Sequence, residues 1–373
     1  SVDAAVMETA RGGMLRSGLG FQECNVAGCI NVAADHLGLR GIDTLEQLAE
    51  VKRVPIEIAK DAAVLNADDP HCLQMADHTD ADKISYVTMN PSHPLVKRHI
   101  QAGGQAFVLE QGMNGHMITI YDNEAHTPLV WTHLIPATIE GRALHNVQNA
   151  MFAAALAYNM DISLEDIRQG LRTFDSTFFQ APGRMNIYDE HPFRVILDYA
   201  HNPAAVKAMC DLVDRFDTDG RRIVVLSAPG DRRDEDIRDI AEIASGHFDF
   251  FICRCDDNRR GRGVDEVATM LKNKLLEKGI STDQIDVVPD EQEANTRALE
   301  MAQTGDLVLL LGDNVKRTWK QIIYFNSGSR VDNGGKSSST PIDLPEFAGF
   351  DLSDDLEIIS DERGVRIARE EGD

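Results

Sequence analysis

The sequence predicts an α/β protein with two domains, each built on a mainly parallel sheet. Short apolar stretches alternate with helical segments early in the chain, and the same alternation starts again after a Pro-Gly linker. Between the two rounds, short alternating strands with Gly and Asn turns indicate an antiparallel meander. The length of 373 residues fits two or three domains.

We place the first domain at residues 1–180. A parallel sheet with crossover helices, followed by the meander at 103–131, accounts for its pattern. The predicted strands of the parallel part are 4–7, 26–32, 62–65 and 84–89, and the predicted helices are 44–59, 146–158 and 163–174.

The second domain is placed at residues 181–325. Its strands are nearly continuous apolar runs, which is typical of a doubly wound parallel sheet buried on both faces. The predicted strands are 194–198, 222–227, 248–254, 284–288 and 307–311, and the predicted helices are 203–215, 234–245, 264–278 and 291–302.

Residues 326–373 form the last segment, which is rich in Ser, Gly, Asp and Glu. This composition predicts an acidic and mostly disordered tail, with one short helix or strand near residues 356–367.

The composition excludes several classes of function. A formal net charge of −24 argues against nucleic acid and anionic membranes as partners, while local amides and cations can still hold ATP. The sequence has six scattered cysteines and no C-x-x-C pair, so we expect free thiols in a reducing cytoplasm rather than a zinc site. It has no apolar run long enough to span a membrane.

Three polar residues near the start of the chain are candidates for a metal and phosphate site. Glu8 follows the first predicted strand, His36 follows the second, and Lys52 lies on the next helix. Ligands gather at the carboxyl ends of strands in open α/β sheets, where a carboxylate and an imidazole can share a divalent ion. Taken singly, each has a plainer interpretation: a solvated Glu, a core or capping His, and a solvent-facing Lys.

Further candidates lie around the border between the two domains. Asn149 carries both a donor and an acceptor and can contact an adenine edge, while Asn146 is expected to cap the same helix. Arg184 suits a phosphate or ribose. Asp198 ends a buried strand and needs a partner such as a ribose hydroxyl. For His201, capping and substrate binding are equally open.

Two loops of the second domain are candidates for binding the incoming substrate. One contains Asp231 and Arg232, and the other contains Asn258 and Arg260. Both follow strands of one parallel sheet, so they can face one cleft. The arginine-rich run 259–262 can either grip an aspartate-rich polymer or form a solvated basic loop.

Several motifs, taken in order, resemble the Mur ligase superfamily. They are DHLG from residue 35, the helical Lys52, NADDP from 66, HNVQN from 145 and DYAHNP from 198. ETARGGMLRSGL, from Glu8, resembles the cyanophycin synthetase branch more specifically. The resemblance covers residues 1–325 and implies a partial central ATPase domain followed by a Rossmann-like carboxy-terminal domain.

The resemblance also implies roles for the candidate residues. Glu8 matches an acid that holds Mg²⁺ between nucleotide phosphates, and His36 matches a ligand of a second Mg²⁺. Lys52 matches a lysine that many members carbamylate into a metal-binding carboxylate. Positions that match contacts to the nucleotide are Asn149, Arg184 and Asp198.

The implied activity is ATP-dependent amide formation through an acyl phosphate, with ATP and Mg²⁺ as cofactors. In the cyanophycin branch, arginine is added to the side-chain carboxylates of a polyaspartate chain. The amino-acid loop of some relatives reads Asp-Asn-Pro-Arg. Here Arg259 replaces the Pro, so we expect a different pocket. GDNVKRTW near Gly312 stands where relatives have another substrate loop.

The sequence contains no G-x-x-x-x-G-K-[ST] phosphate loop. We therefore expect the chain to be inactive alone and to act with an upstream part of the same enzyme, with a homo-oligomer as one option for its assembly. Two alternatives remain: a peptidoglycan- or folate-type ligase, and a non-catalytic remnant that binds polymer or a partner chain. ARGGMLRSG favours the cyanophycin interpretation over the first of these.

Overall fold

The computed structural model describes residues 2–35, 37–326 and 358–367. Contacts divide the chain into two compact units. Among the described residues, the first unit comprises 2–33, 38–173 and 358–367, and the second comprises 34–35, 37 and 174–326. None of the helices in the described ranges has the length and apolarity that crossing a membrane requires.

A six-stranded sheet organises the first unit, with its strands neighbouring one another in chain order. The first four strands pair in parallel and the last two pairings are antiparallel, which confirms the predicted parallel sheet with an appended meander. The strands are β1 (Cys24–Cys29), β2 (Ala59–Asn66), β3 (Lys83–Thr88), β4 (Gln105–Gly112), β5 (Gly115–Asp122) and β6 (Ala125–Trp131).

Three helices of the first unit, Leu45–Glu57, Pro70–Gln74 and Pro94–Gln101, begin at residues whose side chains cap them. Thr44 forms a capping box with Gln47 at the start of α2. Phe107 and Phe152 are fully buried in the core between the sheet and α5. The helices are α1 (Arg11–Ser17), α2 (Leu45–Glu57), α3 (Pro70–Gln74), α4 (Pro94–Gln101), α5 (Leu144–Tyr158) and α6 (Leu164–Thr173).

The predicted strand at residues 4–7 is wrong. The segment before α1 is irregular, and the Val6 side chain is 98% exposed. A short apolar run becomes a strand only where another strand accepts its backbone hydrogen bonds. β1 is therefore the first strand of the described chain.

The second unit contains a second six-stranded sheet, in the order β11-β10-β9-β12-β8-β7. All its pairings are parallel except that of β7 with β8, which confirms the predicted doubly wound sheet. The edge strand β7 was not predicted. The strands are β7 (Asn186–Tyr188), β8 (Arg194–Asp198), β9 (Arg222–Leu226), β10 (Phe250–Cys253), β11 (Ile285–Val287) and β12 (Leu307–Leu311).

Five helices accompany this sheet. α7 packs on α8 and α8 on α9, while α10 packs on α11 and both contact the sheet. The apolar cluster on the α10–α11 side contains alternate residues of β8 and β9, such as Val195 and Ile223. The helices are α7 (Pro203–Val213), α8 (Asp234–Ala244), α9 (Glu266–Glu277), α10 (Glu291–Met301) and α11 (Val315–Tyr324).

Near the end of the chain, β13 (Ile358–Asp361) and β14 (Gly364–Ile367) form a hairpin that packs on α3 and α4. Arg363 donates to the Thr79 carbonyl oxygen at 2.8 Å. The hairpin coincides with the short element expected near 356–367, and over these residues it corrects the expectation of a disordered tail. The other residues of the predicted tail after 326 lie outside the described ranges.

His99 of α4 is buried where the hairpin meets the first sheet. The Val365 amide donates to its Nδ1 at 2.9 Å, and its Nε2 lies 3.2 Å from the carbonyl oxygens of Ile84 and Gln105. A Cβ added to Gly364 would come within 2.2 Å of the ring. Burial lowers the pKa of His99 to about 4, so the folded protein holds this ring neutral.

We predict that His99 makes the first unit less stable as the pH falls from about 6.5 to about 4. In this range the unfolded chain binds a proton at His99 and the folded chain does not, so acid favours unfolding by about 1 kcal/mol per pH unit. Urea unfolding at several pH values tests this against His99→Gln, which cannot titrate. Equal pH slopes for the two proteins would contradict the prediction.

Candidate active site

The segment that follows β1 is held by side chains from α2 and β2. Lys52, on α2, donates from Nζ to the carbonyl oxygen of Asn31 at 2.9 Å. Asn66, the last residue of β2, donates from Nδ2 to the carbonyl oxygen of Ile30 at 2.7 Å. The carboxyl end of β1 is therefore shaped by Lys52, one of the predicted site residues.

Asp69 fixes the same segment from the other side. One of its carboxylate oxygens accepts from the Val32 amide at 2.7 Å. The other accepts from the amides of His71 and Cys72 at 2.9 and 3.1 Å and so caps α3. The NADDP motif thus ties the loop after β1 to the start of α3.

The predicted meeting of Glu8, His36 and Lys52 stays a prediction. Glu8 is exposed on the irregular segment before α1, and His36 lies outside the described residues. The Lys52 ammonium donates to the Asn31 carbonyl oxygen. Within the described ranges, no group of three or more His, Cys, Asp or Glu side chains is arranged for a metal ion.

Asn149 lies exposed on the first half of α5 and donates to Asn146 Oδ1 at 3.0 Å. The expected capping role of Asn146 is wrong. The helix begins at Leu144, so Asn146 lies within its first turn and donates instead to the Ala137 carbonyl oxygen at 2.7 Å. This bond orients Asn146, and through it the Asn149 amide.

Arg184 and Asp198 lie together in the second unit. Asp198 ends β8 and is buried, and its carboxylate accepts from the amides of Met185 and Ala200 at 2.9 and 2.7 Å. Burial raises the pKa of Asp198, and these amides and the Arg184 charge oppose that rise. We expected the buried Asp198 carboxylate to need a partner such as a ribose hydroxyl. In the structure, backbone amides are its partners. The Arg184 guanidinium lies 5.7 Å from the centre of the Tyr199 ring.

His201 does not cap α7. That role belongs to Asn202, whose side chain accepts from the Ala205 amide at 2.9 Å. His201 Nδ1 lies 2.9 Å from the carbonyl oxygen of Tyr199, and the two rings are in contact. Of the two interpretations left open for His201, the structure removes capping.

A pocket opens at the carboxyl edge of the second sheet, where β8, β9, β10 and β12 end. Ligands are expected at such an edge in open α/β sheets. The residues that line it are Tyr199, Ala200, His201, Ser227, Ala228, Pro229, Arg254, Asp256, Leu311, Gly312 and Asp313.

Next to this pocket, and in part lining it, is a charge cluster, by which we mean Arg254, Arg317, Asp256, Asp257 and Glu291. Arg254 is 1% exposed and pairs with Asp256 at 3.2 Å and Glu291 at 3.3 Å. Arg317 pairs with Glu291 and with Asp257. Two guanidinium groups thus face three carboxylates, and mutual pairing compensates for the burial of Arg254 and Glu291.

Asp313 adds a further carboxylate at the pocket. Its amide donates to Glu291, but in the described chain no hydrogen bond or ion pair is made to its carboxylate. Burial and the charge of Asp256 raise the pKa of Asp313. With this residue, four carboxylates face two guanidinium groups, so the pocket has a local excess of negative charge.

The two predicted substrate loops lie together, but their charged groups bind one another. Arg260 donates to both oxygens of Asp231 at 2.6 Å, and Arg232 pairs with Asp231 at 3.3 Å. The Asn258 side chain accepts from the Arg260 amide. The run 259–262 is therefore in part an internal ion-pair network, and Arg262 also pairs with acids of its own unit.

Family comparisons agree with this architecture. The model of the Mur ligase middle domain matches residues 1–157, and the model of the Mur ligase glutamate ligase domain matches residues 183–314. The chain belongs to the Mur ligase family.

Curated Mur ligase relatives differ widely in their similarity to the chain. A cyanophycin synthetase of Trichormus variabilis is 42% identical over 334 residues, covering 86% of the chain and 35% of the relative. A UDP-N-acetylmuramoyl-L-alanyl-D-glutamate–2,6-diaminopimelate ligase of Caldanaerobacter subterraneus is 25% identical over 316 residues, covering 83% of the chain and 58% of the relative. The chain thus spans about a third of the length of the cyanophycin synthetase it matches.

The fold also matches solved structures. One is a bifunctional folylpolyglutamate synthase/dihydrofolate synthase from Yersinia pestis, complexed with AMPPNP and Mn. It superposes with a TM-score of 0.55 at 20% identity, covering 81% of the chain and 62% of that structure. At this identity the likeness shows the fold alone.

Three residues at or next to this pocket were not among the predicted site residues, namely Arg254, Glu291 and Asp313, although Asp313 lies in the GDNVKRTW loop that the motif comparison indicated. The sequence did contain a signal for Arg254. A charged residue at the end of an apolar strand is buried and needs a partner, which is the argument already made for Asp198. Glu291 carried no such signal, because it starts a helix where acids are common anyway. Chemically, the pocket is a small negative recess of about 10 Å³, which is room for about one water molecule, bordered by the rings of Tyr199 and His201.

Proposed function

We propose that this Mur ligase chain joins arginine to the side-chain carboxylates of a polyaspartate backbone, at the expense of ATP. Residues 1–180 would form part of the central nucleotide-binding domain, and residues 181–325 the domain that binds the incoming amine. The 42% identity to a cyanophycin synthetase supports this choice within the family.

The unpaired Asp313 carboxylate is the observation that carries the proposal. Binding of a guanidinium group would pair this carboxylate and offset the excess negative charge at the pocket. A neutral or acidic amino acid would leave the excess uncompensated. The pocket therefore favours a cationic amine such as arginine over glutamate.

In the proposed reaction, a substrate carboxylate oxygen attacks the γ-phosphorus of ATP, and ADP leaves. The α-amino nitrogen of arginine then attacks the acyl carbon of the acyl phosphate, and phosphate leaves as the amide forms. The guanidinium end of arginine would lie at the mouth of the pocket, against Asp313, which leaves the α-amino group free to react. His201 borders this pocket and would contact the bound amino acid.

The nucleotide would be held with Mg²⁺ as its cofactor, as the complex of a related fold with AMPPNP and Mn suggests. We assign the metal to Glu8, His36 and Lys52, and the nucleotide to Asn149, Arg184 and Asp198, on the strength of the motif matches. The substrate loops would be those of Asp231, Arg232, Asn258 and Arg260, with their ion pairs opening or reorienting to admit the polymer.

The proposal also covers the missing phosphate loop and the compartment in which the enzyme works. The phosphate loop that the sequence lacks would be supplied by polypeptide outside these 373 residues, so the chain alone would not turn over ATP. The activity would take place in the cytoplasm, where ATP and free arginine are available.

The proposal is tested with the full product of the gene and with the 373-residue chain side by side. Each is given ATP, a polyaspartate-based acceptor and one amine from a panel of arginine, lysine, glutamate and diaminopimelate. We expect phosphate release and polymer mass gain with arginine, in the gene product alone. Release that depends on glutamate or diaminopimelate would favour a folate- or peptidoglycan-type ligase, and no release with any amine would favour a binding remnant.

A further inference from the structure

Two cysteines far apart in the sequence lie in contact in the first unit. Cys29 is the last residue of β1, and Cys72 lies in α3. Their sulfur atoms are 3.5 Å apart, and the Cys72 thiol donates a hydrogen bond to Cys29. Both are free thiols and both are buried, with Cys29 6% exposed.

The contact makes the two thiols chemically unequal. The hydrogen bond from Cys72 lowers the pKa of Cys29. The same bond, together with burial, raises the pKa of Cys72. Since the thiolate is the nucleophile in sulfur chemistry, Cys29 is the member of the pair that reacts first, with Cys72 placed to resolve the product.

We propose that Cys29 and Cys72 form a redox pair that hydroperoxides convert into an intramolecular disulfide. The Cys29 sulfur attacks one peroxide oxygen, the O–O bond breaks, and a sulfenic acid and water are produced from hydrogen peroxide. The Cys72 sulfur then attacks the Cys29 sulfur, the S–O bond breaks, and a second water leaves. The two thiols lose two electrons and two protons, and the peroxide is reduced to two waters.

The geometry requires little movement. A disulfide has its sulfur atoms about 2 Å apart, so the two side chains must approach by about 1.5 Å. The approach draws the end of β1 toward the first turn of α3. Asp69 caps that turn and also holds the Val32 amide, so the cross-link would tie the loop after β1 directly to α3.

The experiment treats the 373-residue chain with hydrogen peroxide and follows intact mass and peptide maps. We expect the loss of two hydrogens, a linked peptide pair containing Cys29 and Cys72, and full reversal by dithiothreitol. Cys24 is the partly exposed cysteine of the first unit, so Cys24→Ser is the matched control and should still form the link.

Cys29→Ser and Cys72→Ser should each abolish the link, with Cys72→Ala as a second variant in case the serine is poorly tolerated. Circular dichroism checks that each variant is folded. Oxidation of Cys29 to sulfinic acid with Cys72 still reduced would overturn the proposal, as would links that run mainly through Cys24. None of these outcomes depends on ligase activity, so the result is separate from the test of the proposed function.

Discussion

Replacing Asp313 with asparagine is expected to weaken arginine binding by about 10- to 100-fold. The carboxylate lies at the pocket without a hydrogen bond or ion pair from any described residue, so an incoming guanidinium would be its partner. A hydrogen bond to a charged group contributes about 1.5–3 kcal/mol, which corresponds to this loss. Asparagine keeps the shape of the side chain and one acceptor but removes the charge.

Calorimetric titration of the 373-residue chain with arginine measures this effect directly, and the KM for arginine in the full gene product measures it in the reaction. Asp286→Asn is the matched control, because Asp286 is in a solvent-exposed pair with Arg297. We expect the control to bind arginine like the unmodified chain. Unchanged arginine affinity in Asp313→Asn would remove the observation on which the arginine assignment depends.

The sequence predicted the two sheets well because their signals are local. Several apolar strand segments that alternate with amphipathic helices indicate a parallel sheet. Both sheets have the strands that this pattern predicted. The run at 4–7 failed because its apolar residues have no neighbouring strand, a condition that local sequence does not report. β7, which has three residues, was missed for the opposite reason. Its sequence has no strand pattern, and it is a strand because it pairs with β8.

The site was predicted less completely, since its contacts join residues far apart in the sequence. Lys52 and Asp198 could be chosen because motifs or a buried strand end single them out. The contact of Cys29 with Cys72 spans 43 residues and depends on how α3 packs beside β1. The hairpin around Gly364 binds a histidine more than 250 residues earlier, which no local pattern could indicate.

A large loss of stability is expected when Arg254 is replaced by methionine. The guanidinium is 1% exposed and donates to the carbonyl oxygens of Leu311 and Cys255 at 2.6 and 2.9 Å, besides its pairs with Asp256 and Glu291. Methionine fills much of the volume but supplies none of these donors. The fully buried Glu291 carboxylate would lose its ion pair with Arg254 and keep only the one with Arg317. Removing one partner of a buried ion pair costs about 3–5 kcal/mol.

Urea unfolding of the variant tests this, with Arg297→Ala as the control for removing an arginine from an ion pair. The Arg297–Asp286 pair has side chains 49% and 33% exposed, so its loss should cost about 0–1 kcal/mol. If Arg254→Met costs no more than this control, the charge cluster is not what holds the ends of β10 and β12 together. In that case arginine binding at Asp313 would also lose support, because the charge cluster is what gives the pocket its excess of negative charge.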